Sequence, residues 1–191
     1  MIPLFDNKRS KKIPHITILL ILLNVVIFFV FKESQTDIIK LYGFIPGEFN
    51  FFHILISMFL HANIWHLLFN IWFLWIFGDN VENRIGHLKF LLFYFLCGIS
   101  SAIIYSILGN NLTIPLIGAS GAISGILGGY LILFPKNKLR VFPNFNFYSF
   151  VYILLWFLIQ LLLVYFGNGE VGYLGHVGGF IIGIILVLFL K

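Results

Sequence analysis

Five stretches of the chain, residues 13–31, 49–78, 90–135, 141–169 and 171–190, contain no Asp, Glu, Lys or Arg. A charged side chain at the centre of a bilayer costs about 2.5–3.5 kcal/mol even on a lenient insertion scale, so long charge-free runs mark segments able to cross one. Only 10% of the residues are charged and 60% are hydrophobic, and the mean hydropathy is +1.02. A soluble globular domain carries about a quarter charged residues. The chain therefore reads as a polytopic membrane protein of the all-α class.

A helix needs about 20 apolar residues to cross the hydrocarbon, so the first and last runs hold one span each. The run 90–135 holds two, broken at Gly109-Asn110-Asn111-Leu112-Thr113-Ile114-Pro115, where turn residues and a proline interrupt any continuous helix. In the run 49–78, residues Phe49 to Ala62 carry His53, Ser57 and His61 and read partly as interfacial loop. Six spans result, about 14–31, 63–78, 89–108, 117–134, 148–166 and 173–190, in one membrane domain over residues 1–191.

Placing the amino terminus in the cytoplasm puts Lys8, Arg9, Lys11, Lys12, Arg84, Lys89, Lys136, Lys138, Arg140 and Lys191 inside, ten of the twelve basic residues, and leaves Lys32 and Lys40 outside. That distribution follows the positive-inside rule and puts both termini in the cytoplasm; the expected location is the plasma (inner) membrane. The formal charge of +5 then reports topology and contact with anionic lipid, and nothing asks for nucleic acid. The basic start and first apolar run could be a leader, but Lys32-Glu33-Ser34 follows Phe31 where a small-residue cleavage site would stand, so the run reads as a retained span. Cys97 is the sole cysteine, so neither a disulfide framework nor a thiolate metal site is expected.

Polar residues inside the spans need a partner or a function there. The second span carries His66 and Asn70, spaced i, i+4 on one face. The fourth opens with Gly118-Ala119-Ser120-Gly121 and the sixth with Gly175-His176-Val177-Gly178-Gly179. All three spans enter from the outer surface, so these groups share a depth of roughly 3–11 Å at 1.5 Å per residue. Two glycine ladders, Gly121/Gly125/Gly129 and Gly175/Gly179/Gly183, flank Ser120 and His176. Small faces let membrane helices approach closely, which predicts that the fourth and sixth spans pack together.

Taken singly, Ser120 reads as a helix-start residue, His176 as a packing histidine and Asn70 as interhelical glue. Their coincidence at one depth points to chemistry. A serine hydroxyl needs a base within hydrogen-bond reach, and histidine titrates near the required pH. His66, Asn70 and the amides opening the fourth span could stabilise an oxyanion. No Asp or Glu lies within any span, so the expected unit is a Ser-His dyad. Glu170, in a short outer loop, is expected to be solvated. His61 and His66 lack the third ligand that a metal site needs; His61 reads as interfacial or bonded to the outer loop, and His15, His53 and His87 receive no role.

Across all six spans the chain resembles the rhomboid family of intramembrane serine proteases. The resemblance rests on His61-Ala62-Asn63-Ile64-Trp65-His66-Leu67-Leu68-Phe69-Asn70, on Gly118-Ala119-Ser120-Gly121, and on His176-Val177-Gly178-Gly179 followed by Gly183. It implies Ser120 as nucleophile, His176 as general base, oxyanion stabilisation by His66, Asn70 and the Ser120 amide, and support from Gly118, Gly121 and Gly179. It also implies single-span membrane proteins as substrates, cut near their outer ends beside a small residue where the helix unwinds, with no metal or cofactor. Glu82 and Arg84 match a structural charged element of the family, and a solvated inner-loop pair explains them equally well. Ser124 stands where some members carry an aromatic that stacks on the imidazole, a gap that Ser124 or Tyr173 would have to fill, and Phe52-His53 stands where some have Trp-Arg. The alternative reading is a catalytically silent relative that binds membrane proteins for folding or removal. A small transporter fits less well, since the spans hold no acids for ion coupling.

Overall fold

The computed structural model describes residues 3–7, 12–109, 111–167 and 171–191. Glu170, Lys8, Arg9 and Lys11, which entered the expectations above, lie outside them. The order is β1 (Pro3–Asp6), α1 (His15–Val30), a 3₁₀ turn at Lys32–Ser34, α2 (Gln35–Tyr42), α3 (Phe51–Ser57), α4 (Ile64–Ile85), α5 (His87–Leu108), α6 (Ser120–Leu133), β2 (Lys138–Val141), β3 (Phe145–Tyr148), α7 (Ser149–Phe166) and α8 (Tyr173–Leu190).

Of these, α5, α7 and α8 are long and apolar enough to cross a membrane, and α1 joins them if it is counted with the segment to Tyr42, from which it is bent by 66°. The two remaining core helices depart from that standard in different ways. α6 has only 14 residues. α4 has 22 but carries Asp79, Glu82 and Arg84 near its end.

α4 runs seven residues past the expected span end at Gly78 because its acids have partners. Glu82 is fully buried and takes the place of an N-cap for α1: it accepts from the Ile16 amide at 2.8 Å, the Thr17 amide at 2.7 Å and the Thr17 hydroxyl at 2.6 Å. Those amides open a helix and have no acceptor within it. His87 Nδ1 meets the same carboxylate at 2.5 Å. Glu82 is therefore a buried structural anchor rather than half of a solvated pair, whereas Arg84 is exposed.

The all-helical expectation needs one correction, a small antiparallel sheet in the order β1-β2-β3. β2 and β3 form a hairpin pairing Lys138 with Tyr148 and Val141 with Phe145, and β1 adds along β2 with Asp6 opposite Leu139. Asp6 explains why the amino-terminal strand docks. Its carboxylate accepts from the Tyr130 hydroxyl, from Asn80 Nδ2 at 2.7 Å and from Asn137 Nδ2 at 3.0 Å. One buried anion thus ties β1 to α4, α6 and the turn before β2.

Candidate active site

The glycine ladders do bring α6 and α8 together. A β-carbon built on Gly179 would lie 2.2 Å from the Gly121 carbonyl oxygen, and one on Gly183 would lie 2.0 Å from that of Gly125. Such separations leave room for hydrogen alone, so the two main chains touch. The ladders are not used throughout. Gly129 faces Phe93 of α5 and Gly175 faces Ser101, while Gly128, outside the expected ladder, lies against the Phe180 carbonyl. Ser101 donates to the Gly175 carbonyl at 2.7 Å, which pins the start of α8 to α5 just before His176.

This packing sets Ser120, the first residue of α6, opposite His176 in the first turn of α8. His176 Nε2 lies 2.8 Å from Ser120 Oγ, and both residues are half-buried. The amides of the first turn of α6 have no acceptor within the helix and point toward the serine end, where the helix dipole is positive.

His66 and Asn70 reach the same place from α4. Gly118 has φ +102°, and a β-carbon there would be 2.6 Å from His66 Nε2 and 3.5 Å from Asn70 Nδ2. Glycine is needed at 118 both for that backbone angle and because the segment two residues before the serine passes against these side chains. Asn70 Nδ2 donates to the His66 carbonyl at 3.0 Å. The segments before α3, before α4 and before α6 brace the approach. The Gly118 amide donates to the Ser57 carbonyl at 2.8 Å, and Phe44 pairs with Leu116 through both backbone groups.

His61 precedes α4, and its ring meets that of His66 edge-on with centroids 5.0 Å apart. It is 1% exposed, its Nδ1 faces the Phe59 carbonyl at 3.3 Å, and its Nε2 has no partner. Burial, then the charge of His66, push its pKa down to about 3 against the raising effect of the Phe59 carbonyl.

Two residues that belong to none of the sequence motifs complete the surroundings of the imidazole, both from α7. Gln160 Oε1 lies 2.8 Å from His176 Nδ1, and the Trp156 ring lies nearly parallel to the imidazole at 29° with centroids 6.5 Å apart. Tyr173 meets the ring edge-on. Ser124 does not fill the gap left by a stacking aromatic, because its hydroxyl bonds back to the Ser120 carbonyl at 2.7 Å. The signal for Gln160 lies in the sequence: it is the one amide side chain within α7.

The family model that matches is the Rhomboid domain, over residues 48–191. Similar proteins include the rhomboid protease AarA of Providencia stuartii, 30% identical over 90% of this chain and 70% of that protein. The mitochondrial rhomboid protein 1 of Saccharomyces cerevisiae is 30% identical over 68% of this chain and 39% of its own length. The rhomboid protease GluP of Bacillus subtilis is 32% identical over 65% of this chain and 26% of its own. The chain thus spans well under half the length of the last two.

Proposed function

Because the chain belongs to the rhomboid family, which includes serine proteases, we propose that it is an intramembrane serine endopeptidase working through a dyad of Ser120 and His176. The observation that carries this reading is the 2.8 Å contact between Ser120 Oγ and His176 Nε2, made between helices whose main chains touch. Neutral His176 takes the hydroxyl proton as Oγ adds to the scissile carbonyl. The oxyanion is met by the Ser120 amide with His66 and Asn70. When the carbon–nitrogen bond breaks, the proton on Nε2 passes to the leaving amine. Water then gives its proton to His176, adds to the acyl-enzyme, and the Ser120–acyl bond breaks as the proton returns to Oγ.

Six helices, α1 and α4 to α8, form the membrane bundle in this reading, with both termini cytoplasmic in the plasma membrane. At 1.5 Å per residue the 14 residues of α6 cover about 21 Å of a hydrocarbon layer about 30 Å thick. With the other end of α6 at the inner boundary, the serine lies roughly 9 Å below the outer boundary, preceded by the non-helical segment 112–119. The substrates are single-span membrane proteins, cut near their outer ends where the helix opens, since an intact helix holds its carbonyls in hydrogen bonds. Phe52, 73% exposed beside the exposed Phe49 and Phe51, gives the outer loop an apolar face for the lipid.

Reconstitution with single-span substrates tests the proposal. Wild type should cleave and should react with a fluorophosphonate probe, and Ser120→Ala should do neither. Equal labelling of the two proteins, or no cleavage by wild type of any substrate in a broad panel, would favour the silent binding relative.

A further inference from the structure

A histidine base must carry its proton on the right nitrogen. The two neutral tautomers of imidazole differ little in energy, and only the one protonated at Nδ1 leaves Nε2 free to take the serine proton. Serine proteases commonly enforce this with a carboxylate, and no carboxylate touches His176 among the described residues.

We propose that Gln160 is the positioning residue of the base: its carbonyl oxygen accepts from His176 Nδ1–H and so holds Nε2 bare toward Ser120. The inference rests on the dyad reading above. It is supported by the 2.8 Å contact and by the burial of Gln160, 7% exposed in a helix with only four buried residues. An amide facing lipid would be costly, and this one is turned inward against the imidazole. Trp156 precedes Gln160 by four residues, so both lie on one face of α7. One sets the tautomer and the other limits rotation of the ring.

A neutral acceptor has a further consequence. It orients the imidazole without stabilising the imidazolium as a carboxylate would, so the substitution Gln160→Glu changes the chemistry in a defined way. An anion within about 4–6 Å favours the protonated ring, and the acid limb of the pH–rate profile should move up by about one unit or more. Gln160→Leu keeps the volume, removes the acceptor, and should lower kcat about 10- to 100-fold with KM little changed.

The deciding experiment combines these profiles with ¹⁵N NMR of histidine-labelled protein, the His176 signals being assigned by their loss in His176→Phe. Wild type should show a protonated Nδ1 and a bare Nε2, and Gln160→Leu a mixture of tautomers. The proposal is overturned by an unchanged tautomer and kcat in Gln160→Leu, or by an unmoved acid limb in a folded Gln160→Glu. If Gln160→Glu does not fold, the leucine variant and its spectrum decide. The NMR readout needs no turnover, so it separates failure of this inference from failure of the protease reading, which Ser120→Ala tests alone.

Discussion

α8 meets α6 and α7 in two different ways. Against α6 the contact is main chain on main chain, and ten of the fourteen residues of α6 are buried. Against α7 it is made by side chains, and only Ser149, Tyr152, Ile153 and Gln160 of its eighteen residues are buried. The tight contact fixes how far Ser120 is from His176, because neither can move without its helix. The loose contact fixes which way the imidazole faces. Distance is thus held by the least adjustable part of the fold and orientation by the more adjustable part.

The largest effect should come from breaking the tight contact. Gly179→Val places a branched side chain where even a β-carbon would be 2.2 Å from the Gly121 carbonyl oxygen. Backbone cannot yield as a flexible side chain can, so α6 and α8 must separate. Cleavage should fall to the level of Ser120→Ala and the melting temperature should drop with it. A variant that melts and cleaves like wild type would show that the helices need not touch.

Next in size are the residues brought in by α4. Asn70→Ala should reduce kcat about 100- to 1000-fold, the usual effect of losing one oxyanion donor. Its side-chain amide donates to the His66 carbonyl of its own helix, so stability should change little. If turnover and melting temperature decline in proportion, Asn70 serves packing rather than the reaction.

Much of this arrangement was legible in the sequence, for a physical reason. Lipid rejects polar groups, so Ser120, His66, Asn70 and His176 stood out against an apolar background, and glycines repeated at helical spacing marked faces for close packing. The far end of α4 was less legible. Asp79 and Glu82 look like the end of a span, and only coordinates show that Glu82 holds the first amides of α1 across 65 residues of sequence. The strands are four residues each, too short for alternation to register, and β1 pairs with a segment more than 130 residues away. Gln160 and Trp156 stand in no glycine-flanked motif, but the rule that a polar residue in a span needs a partner applies equally to Gln160.

The loose contact should give a smaller effect than either change above. Trp156→Ala removes a ring that lies over the imidazole, an interaction worth about 0.5–1.5 kcal/mol, and should lower kcat about 2- to 10-fold. Ser124→Ala should leave kcat unchanged, since its hydroxyl bonds to its own helix rather than to the base. A larger loss in Ser124→Ala than in Trp156→Ala would return the positioning of the ring from α7 to α6.

The segment between α3 and α4 forms a third wall beside these two contacts, and its effect should be visible only in acid. His61 is buried with Nε2 unpartnered, and burial, followed by the charge of His66, holds its pKa at about 3. In the unfolded chain the same group titrates near 6.5. Between those values the unfolded state takes up a proton that the folded state refuses, so stability falls as pH drops below about 6.5 and continues to fall toward about 3. Above pH 7 the residue contributes nothing to the pH dependence. His61→Phe removes the titrating group while keeping a ring against His66, so its melting temperature should vary less between pH 7 and 4.5 than that of wild type. Equal slopes for the two proteins would place the acid sensitivity in another group and leave His61 a packing residue of that wall.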